Sequence, residues 1–282
     1  MKPSFVIDNK KVTDRRAIAN AFNKYFNSIA SQLNDSLIDH SSPSTPNIQL
    51  SSFTDFLMPS NQNSIYLHYC TTEELLEIIK NFDNNKASDI PIRIIKKSAH
   101  VICPTLAAYF CILMAIGKFP DVLKTGRVTP IYKKGDAEDI GNYRPVSTLP
   151  IFGKIFEKVI YNRLYGFALS ENILNEKQFG FRDSHSTSHA VNCSIAGIHE
   201  SLRQKKHVLG IFIDLSKAFD TIDHNNLLEK LNHYGVRGNA NQLIKSYLSN
   251  RVQYTETLNE KSDPLIIQYG VPQDLSWAFS SS

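Results

Sequence analysis

Apolar residues in the first third of the chain recur at helical spacing. Between Asp14 and Leu33 they recur at steps of three and four, and Thr13 or Asp14 stands where a helix cap is needed. The face of this predicted helix consists of Ile18, Phe22, Tyr25, Phe26, Ile29 and Leu33. Residues 34–64 are rich in Ser, Asn and Pro, show little periodicity and are predicted to form a linker.

A capping box marks the start of a second helix. Thr71 and Glu74 can satisfy each other's end groups, and a stripe of apolar residues follows. The residues of this stripe are Leu75, Ile78, Ile79 and Phe82. Residues 91–116 are predicted to form one or two helices, interrupted at Pro104.

From Gly126 onward the pattern becomes mixed. A β-branched strand (VTPIY), a polar turn (KKGDAED) and a second extended stretch (YRPVSTLP) predict a two-stranded finger. The run VLGIFID at 208–214 has the length of a strand buried on both faces and ends in a carboxylate, Asp214. The segments VQYTETL and PLIIQYG predict a β-hairpin.

Four more helices are predicted in the second half of the chain. They cover about 151–167, 188–202, 224–234 and 240–249, each with apolar residues at helical spacing. The predicted fold class is therefore α+β, with helices dominating the first hundred residues.

Composition narrows the class of protein further. Hydrophobic residues make up 42% and charged residues 21% of the 282 residues, which is typical of a globular protein. The net charge of +4 permits a polyanionic partner without requiring one. We see neither a signal peptide nor an uninterrupted apolar run of about 20 residues, so we expect an intracellular protein without a membrane partner. The four scattered cysteines are expected to be reduced thiols.

Asp214 is the first candidate for chemistry. A carboxylate at the end of a buried strand has a fixed position and an open side, which suits a divalent metal ion. The alternative is that Asp214 only caps the next turn. For Asp220 and Asp223, capping of the helix that begins near His224 is the favoured interpretation.

Basic residues gather between positions 124 and 163. This segment contains eight basic and four acidic residues, so its net charge is +4, equal to the net charge of the whole chain. Lys133, Lys134 and Arg144 belong to the predicted finger, where they could grip a triphosphate or a nucleic-acid backbone. Solvated surface charge is the alternative. The histidines show no spacing typical of a zinc site, and no phosphate-binding or dinucleotide-binding glycine loop is present.

Several stretches together resemble one family. TPIYKKGD, NYRPVSTLPIFGKIFEKVIYNRL, QFGFRDSHSTSHAV and FIDLSKAFDTIDH occur in this order, followed by GVPQ at 270–273. The order is similar to that in reverse transcriptases of non-LTR, LINE-type retrotransposons, in particular the jockey-like branch. IANAFNKYF and KASDIPIRIIKKS also resemble the region between endonuclease and polymerase in these polyproteins.

The resemblance implies a right-hand polymerase fold and specific roles for residues of this chain. Lys133, Lys134 and Arg144 would contact the incoming triphosphate. Asp214 and the backbone carbonyl of Leu215 would bind catalytic Mg²⁺. Three further residues are implied to contact the nucleotide or template, and these are Arg182, Phe219 (which would exclude a ribose 2′-OH) and Gln273. The implied partners are an RNA template, a DNA primer and a dNTP.

The family's second carboxylate motif is missing. Two-metal nucleotidyl transfer needs more than one carboxylate, and this sequence contains no Asp-Asp dipeptide. We therefore expect a polymerase fragment that is inactive by itself. The alternatives are a non-catalytic nucleic-acid-binding remnant and a non-functional pseudogene product.

The resemblance also suggests a division of the chain. Residues 1–64 would form an N-terminal helix and connector, 65–125 a helical region before the fingers, and 126–273 the fingers and the start of the palm. Residues 274–282 (DLSWAFSSS) depart from the family's Gly-Ser-Val-Leu-Gly. Deleting one G from codons for that sequence yields Asp-Leu-Ser-Trp-Ala, so a frameshifted tail is the favoured interpretation. The alternatives are a gene-model artefact and an unrelated tail.

Overall fold

The structure of the chain is a computed structural model. The structure describes residues 4–7, 10–39, 60–85, 87–214, 219 and 221–271, and in the first helix it describes side chains as far as residue 28. Leu215, Asp220, Gln273, the predicted tail at 274–282 and most of the predicted linker lie outside the described residues.

Seven helices and seven strands occur in the described ranges. The helices are α1 (Arg15–Asp39), α2 (Thr72–Asn81), α3 (Ile92–Ile116), α4 (Ile151–Ser170), α5 (Thr187–Arg203), α6 (His224–His233) and α7 (Asn239–Leu248). The strands are β1 (Phe5–Ile7), β2 (Lys10–Val12), β3 (Thr125–Tyr132), β4 (Tyr143–Thr148), β5 (Val252–Thr257), β6 (Glu260–Lys261) and β7 (Leu265–Ile266). This mixture confirms the predicted α+β class.

The main core is helical, and α4 lies at its centre. α4 is apolar on nearly all sides, which is typical of a fully buried helix. Phe156 on α4 stacks on Phe110 of α3 and on Phe119, with ring centroids 4.4 and 5.2 Å apart. The other members of this cluster include Leu75, Ile78 and Ile79 on α2 and Leu243, Ile244, Tyr247 and Leu248 on α7.

The predicted N-cap of α2 is confirmed at Thr71. The Thr71 hydroxyl accepts a hydrogen bond from the backbone N–H of Glu74 at 3.2 Å, and the Thr71 backbone helps to lower the pKa of the Glu74 carboxyl. Thr71 therefore fixes the start of α2.

The predicted interruption at Pro104 is wrong. α3 continues through Pro104, which lies on the exposed side of the helix, while the opposite side is buried in the main core. Burial of that face offsets the loss of the backbone hydrogen bond that proline cannot donate. By length and composition α3 is also apolar enough to cross a membrane, a criterion that the core helix of a globular domain meets as well.

The central sheet joins segments that are distant in sequence. β3 pairs antiparallel with β4, as predicted for the finger, and its other edge pairs parallel with β5. β5 also pairs with β6 and β7, which confirms the predicted C-terminal hairpin. The parallel β3–β5 pairing was not predicted, because nothing local in either strand specifies so distant a partner.

The N-terminal residues pack against the sheet. Asp14 caps α1 by accepting a hydrogen bond from the backbone N–H of Ala17 at 2.8 Å, and α1 continues to Asp39, beyond the predicted end at Leu33. Ile18 and Phe22 on α1 are fully buried in a second hydrophobic cluster that includes Phe5 of β1 and Tyr143 of β4. The β1–β2 hairpin was not predicted.

Candidate functional site: a cationic finger hairpin

The β3–β4 pair forms a finger hairpin whose tip carries the predicted cations. Ile131 pairs with Arg144, and Tyr132 pairs with Tyr143 at the end of the ladder. Residues 133–142, here called the fingertip loop, connect the two strands, and the backbone N–H of Lys133 donates to the carbonyl of Asn142 at 2.9 Å. Lys133, Lys134 and Arg144 are all exposed. The structure therefore brings these three predicted site residues to one end of one hairpin.

Hydrogen bonds within the fingertip loop fix its shape. The Tyr143 hydroxyl donates to the carbonyl of Ala137 at 2.9 Å, and the Asn142 amide donates to the carbonyl of Asp136 at 3.0 Å. Gly135 has φ +99°, and a Cβ there would lie 2.8 Å from the Asn142 side chain. Only glycine fits this turn, so the lysines project from a preorganised loop.

The acidic residues of the fingertip loop form hydrogen bonds with groups other than Lys133, Lys134 and Arg144. Asp136 and Asp139 accept backbone N–H groups of the loop itself, at 2.9 and 2.8 Å. Glu138 accepts a hydrogen bond from Lys11 at 2.9 Å. Among the described residues, Lys133, Lys134 and Arg144 form no ion pair. Their charges are therefore available to an anionic ligand.

Other cations of the 124–163 segment have structural roles, so the predicted cluster is not one surface. Lys124 is buried and pairs with Asp121 at 2.7 Å, and the buried Lys154 donates to the carbonyl of Ala87 at 2.8 Å. Arg163 on α4 binds Glu74 on α2 through both carboxylate oxygens, at 2.6 and 2.7 Å. Burial of Glu74 opposes its ionisation, but the hydrogen bonds from Arg163 prevail and lower the pKa of the carboxyl.

The GFR motif at 180–182, Phe219 and the start of GVPQ lie together. The rings of Phe181 and Phe219 meet edge to face, with centroids 5.9 Å apart. The backbone N–H of Val271 donates to the carbonyl of Phe219 at 2.9 Å. Arg182, partly buried, donates to the carbonyl of Asn175 at 3.0 Å. Three motifs that are distant in sequence thus share one neighbourhood.

Asp214 is placed differently from the prediction. Residues 207–214 are not a strand, and Leu209, Phe212 and Ile213 are 86%, 99% and 85% exposed. The predicted buried strand at 208–214 is therefore wrong. A strand forms only with a hydrogen-bonding neighbour, and no strand in the described part of the chain pairs with this segment.

The described residues do not make a metal site around Asp214. Magnesium sites in proteins use oxygen ligands, usually one or two carboxylates together with phosphates. Asp214 is exposed, and no group of three or more His, Cys, Asp or Glu residues that could hold a metal ion occurs in the described part of the chain. By itself, the donor set shown here does not fit catalytic Mg²⁺.

The predicted role of Asp223 as a helix cap is confirmed. Its side chain accepts a hydrogen bond from the backbone N–H of Asn226 at 2.8 Å, at the start of α6.

His185 and His189 pack edge to face, with ring centroids 6.4 Å apart.

Comparison with known proteins identifies the family. Residues 131–276, just over half of the chain, match the reverse transcriptase (RNA-dependent DNA polymerase) family. The chain is 30% identical over 237 residues to a probable RNA-directed DNA polymerase from transposon BS of Drosophila melanogaster, which covers 78% of the chain and 24% of that protein.

Two further relatives have the same character. The chain is 30% identical over 223 residues to the RNA-directed DNA polymerase from mobile element jockey of Drosophila melanogaster, covering 78% of the chain and 24% of the relative. It is 28% identical over 216 residues to a probable polymerase from transposon X-element of the same species, covering 71% and 22%. The chain thus spans about a quarter of the length of these relatives. It belongs to the reverse transcriptase family, in the branch of the non-LTR retrotransposons that includes jockey.

Proposed function

We propose that this chain supplies the fingers and the first palm motif of an RNA-directed DNA polymerase with a right-hand fold, and that its finger hairpin binds polyanions. The observation that carries this proposal is the set of three exposed cations on one preorganised hairpin, Lys133, Lys134 and Arg144, which have no ion-pair partner among the described residues. In the parent polymerase the ligands would be the triphosphate of an incoming dNTP, the RNA template and the DNA primer.

The neighbourhood of Phe219 supports the assignment of the first palm motif. Phe219 lies beside the GFR motif and the GVPQ segment, where a side chain that senses the sugar of a nucleotide would be needed. Arg182 is proposed to position the template or the nucleotide, and Gln273, which lies outside the described residues, is proposed to contact the nucleotide.

We propose that this chain binds nucleic acid but does not catalyse nucleotidyl transfer by itself. Asp214 and Leu215 are the proposed Mg²⁺ ligands of the parent polymerase, but the 282 residues contain no Asp-Asp pair, and the described residues contain no group of three or more His, Cys, Asp or Glu residues that could hold a metal ion. We therefore expect the purified chain to bind nucleic acid and to show no primer extension with Mg²⁺ or Mn²⁺. Extension that is abolished by Asp214→Ala would contradict this.

Salt-dependent RNA binding tests the finger hairpin directly. Each phosphate contact with a single strand contributes a slope of about 0.7 in a plot of log affinity against log salt concentration. Reversing the charge at Lys133, Lys134 and Arg144 should therefore weaken binding and reduce the slope by about two units.

A matched control reverses three exposed cations on α2 and α3, namely Lys80, Arg93 and Lys97. The control changes the net charge equally but leaves the finger hairpin intact, so its slope should stay near that of the wild type. An unchanged slope in the finger triple variant would contradict the proposed function.

A further inference from the structure

The N-terminal β1–β2 hairpin lies directly on the fingertip loop. The backbone N–H of Val6 donates to the carbonyl of Glu138 at 2.8 Å, and Val6 and Asp139 form an isolated parallel bridge. These contacts join residues more than 130 positions apart in sequence. They attach the backbone of the loop that carries Lys133 and Lys134 to the first strand of the chain.

Side chains reinforce this attachment at one acidic residue. The Glu138 carboxylate accepts a hydrogen bond from the Ser4 hydroxyl at 2.7 Å and from the Lys11 ammonium at 2.9 and 3.2 Å. Together these hydrogen bonds lower the pKa of Glu138. Glu138 is thus held as a carboxylate that faces the N-terminal hairpin.

An aromatic cluster anchors the hairpin to the base of the loop. Phe5 of β1 is 8% exposed and packs against Phe22 and Tyr143, with ring centroids 5.2 and 5.7 Å apart. Tyr143 is the residue whose hydroxyl holds the carbonyl of Ala137 inside the loop. The β1–β2 hairpin therefore contacts the fingertip loop and its base in three ways: a backbone hydrogen bond, the Lys11–Glu138 ion pair and the packing of Phe5 on Tyr143.

Charge arithmetic shows why the contact with Glu138 matters for binding. The sequence KKGDAED at 133–139 carries two lysines and three acids, a net charge of −1. Asp136 and Asp139 are engaged by backbone N–H groups, whereas Glu138 is paired with Lys11 from outside the loop. Without Lys11, the Glu138 carboxylate would oppose an anionic ligand at the two lysines.

We propose that the β1–β2 hairpin positions the fingertip loop, and that Lys11 enables Lys133 and Lys134 to bind polyanions by neutralising Glu138. This inference rests on the proposed function of the finger hairpin. Lys11 acts here as a positioning residue, through Glu138, and does not itself contact the ligand.

The test is a double-mutant cycle in the full chain, with a short fluorescent single-stranded RNA as the probe. Lys11→Met should weaken RNA binding by about two- to fivefold, the range expected for loss of an exposed ion pair. Glu138→Gln should leave binding unchanged or tighten it. In the Glu138→Gln background, Lys11→Met should have little further effect, because the charge that it neutralises is gone.

Lys10→Met is the matched control, since Lys10 is exposed on the same hairpin and has no carboxylate partner in the described part of the chain. Hydrogen exchange in the fingertip loop is the second readout. Lys11→Met should speed exchange at residues 133–142, and Lys10→Met should not.

Two results would overturn the inference. One is an equal loss of affinity from Lys11→Met in both backgrounds, which would mean that Lys11 contacts RNA directly. The other is an equal loss from Lys10→Met and Lys11→Met. Wild-type chain without salt-dependent RNA binding would instead contradict the proposed function, and that result is read from the wild type alone.

Discussion

Two regions of this chain carry similar apolar patterns and have very different surroundings. On α4, Ile155, Phe156 and Val159 are completely buried between neighbouring helices. On α5, an equally regular stripe at Val191, Ile195 and Ile198 is between 43% and 49% exposed, and α5 has no buried residue at all. The segment that follows α5, residues 207–214, is more exposed still.

The difference shows what a hydrophobic pattern does and does not determine. Periodicity fixes the secondary structure of α5 and the side on which its apolar residues lie. Cover for that side must come from another element, and within the described residues none is present. The finger hairpin belongs to the covered region, whereas Asp214 belongs to the uncovered one. Polyanion binding and metal binding therefore have unequal structural support in this chain.

The largest expected effect is a difference in the free energy of unfolding between one substitution in the covered region and one in the uncovered region. Phe156→Ala removes a ring stacked between Phe110 and Phe119, and we expect it to destabilise the fold by about 3–5 kcal/mol. Phe212→Ala removes a ring that is 99% exposed, so the free energy of unfolding should change by no more than about 0.5 kcal/mol. Urea unfolding followed by circular dichroism measures both. Similar losses would show that residues 207–214 are covered after all.

A smaller effect is expected from two ion pairs. Glu74 binds Arg163 between α2 and α4 through two hydrogen bonds. Glu74→Ala should cost about 2 kcal/mol, because the partly buried guanidinium loses its carboxylate and keeps only the carbonyls of His68 and Tyr69. Glu200 pairs with Arg203 on the surface of α5, and Glu200→Ala should leave the unfolding midpoint unchanged. The same urea experiment checks this pair, and a loss at Glu200 as large as that at Glu74 would contradict the comparison.

The Glu74 pair also predicts a pH dependence. Burial opposes ionisation of Glu74, but Arg163 prevails, so the pKa of Glu74 is lower in the folded chain than in the unfolded chain. The pair therefore stabilises the fold at neutral pH, and this stabilisation is lost as the pH falls through that lowered pKa. Glu74→Gln should flatten the acid limb of a stability–pH profile. An unchanged acid limb would show that other carboxylates control acid unfolding.

Thiol reactivity gives a further contrast between the two regions. Burial, with a further contribution from the nearby Glu74 carboxylate, raises the pKa of Cys70 to about 12. Cys193 on α5 is exposed. Iodoacetamide at about pH 8 should therefore modify Cys193 at least about 100-fold faster than Cys70, as peptide mass spectrometry can measure. Comparable rates would mean that the main core opens readily.

Much of this arrangement was predictable because it depends on local signals. The caps at Asp14, Thr71 and Asp223 and the finger hairpin follow from residues close together in sequence. The position of the finger cations was also predicted correctly, since a hairpin brings Lys134 and Arg144 to one end whatever surrounds it. Their role in binding stays a prediction.

The failures concern long-range contacts. The β3–β5 pairing and the contact between Glu138 and Lys11 join segments more than 120 residues apart, and no local pattern specifies them. Continuous helix through Pro104 depends on burial of the opposite face of α3. The strand expected at 208–214 failed for the converse reason, because its apolar sequence requires a neighbour that the described residues do not supply.

Hydrogen exchange on the soluble chain tests the central contrast most directly. Residues 151–165 lie in α4, whose N–H groups are bonded within a buried helix, and they should exchange slowly. Within the described residues, 207–214 have no regular structure and are exposed, so 208–214 should exchange at nearly the rate of an unfolded peptide. Strong protection of 208–214 in the monomer would contradict the account, because another part of the chain would then cover the segment that carries Asp214.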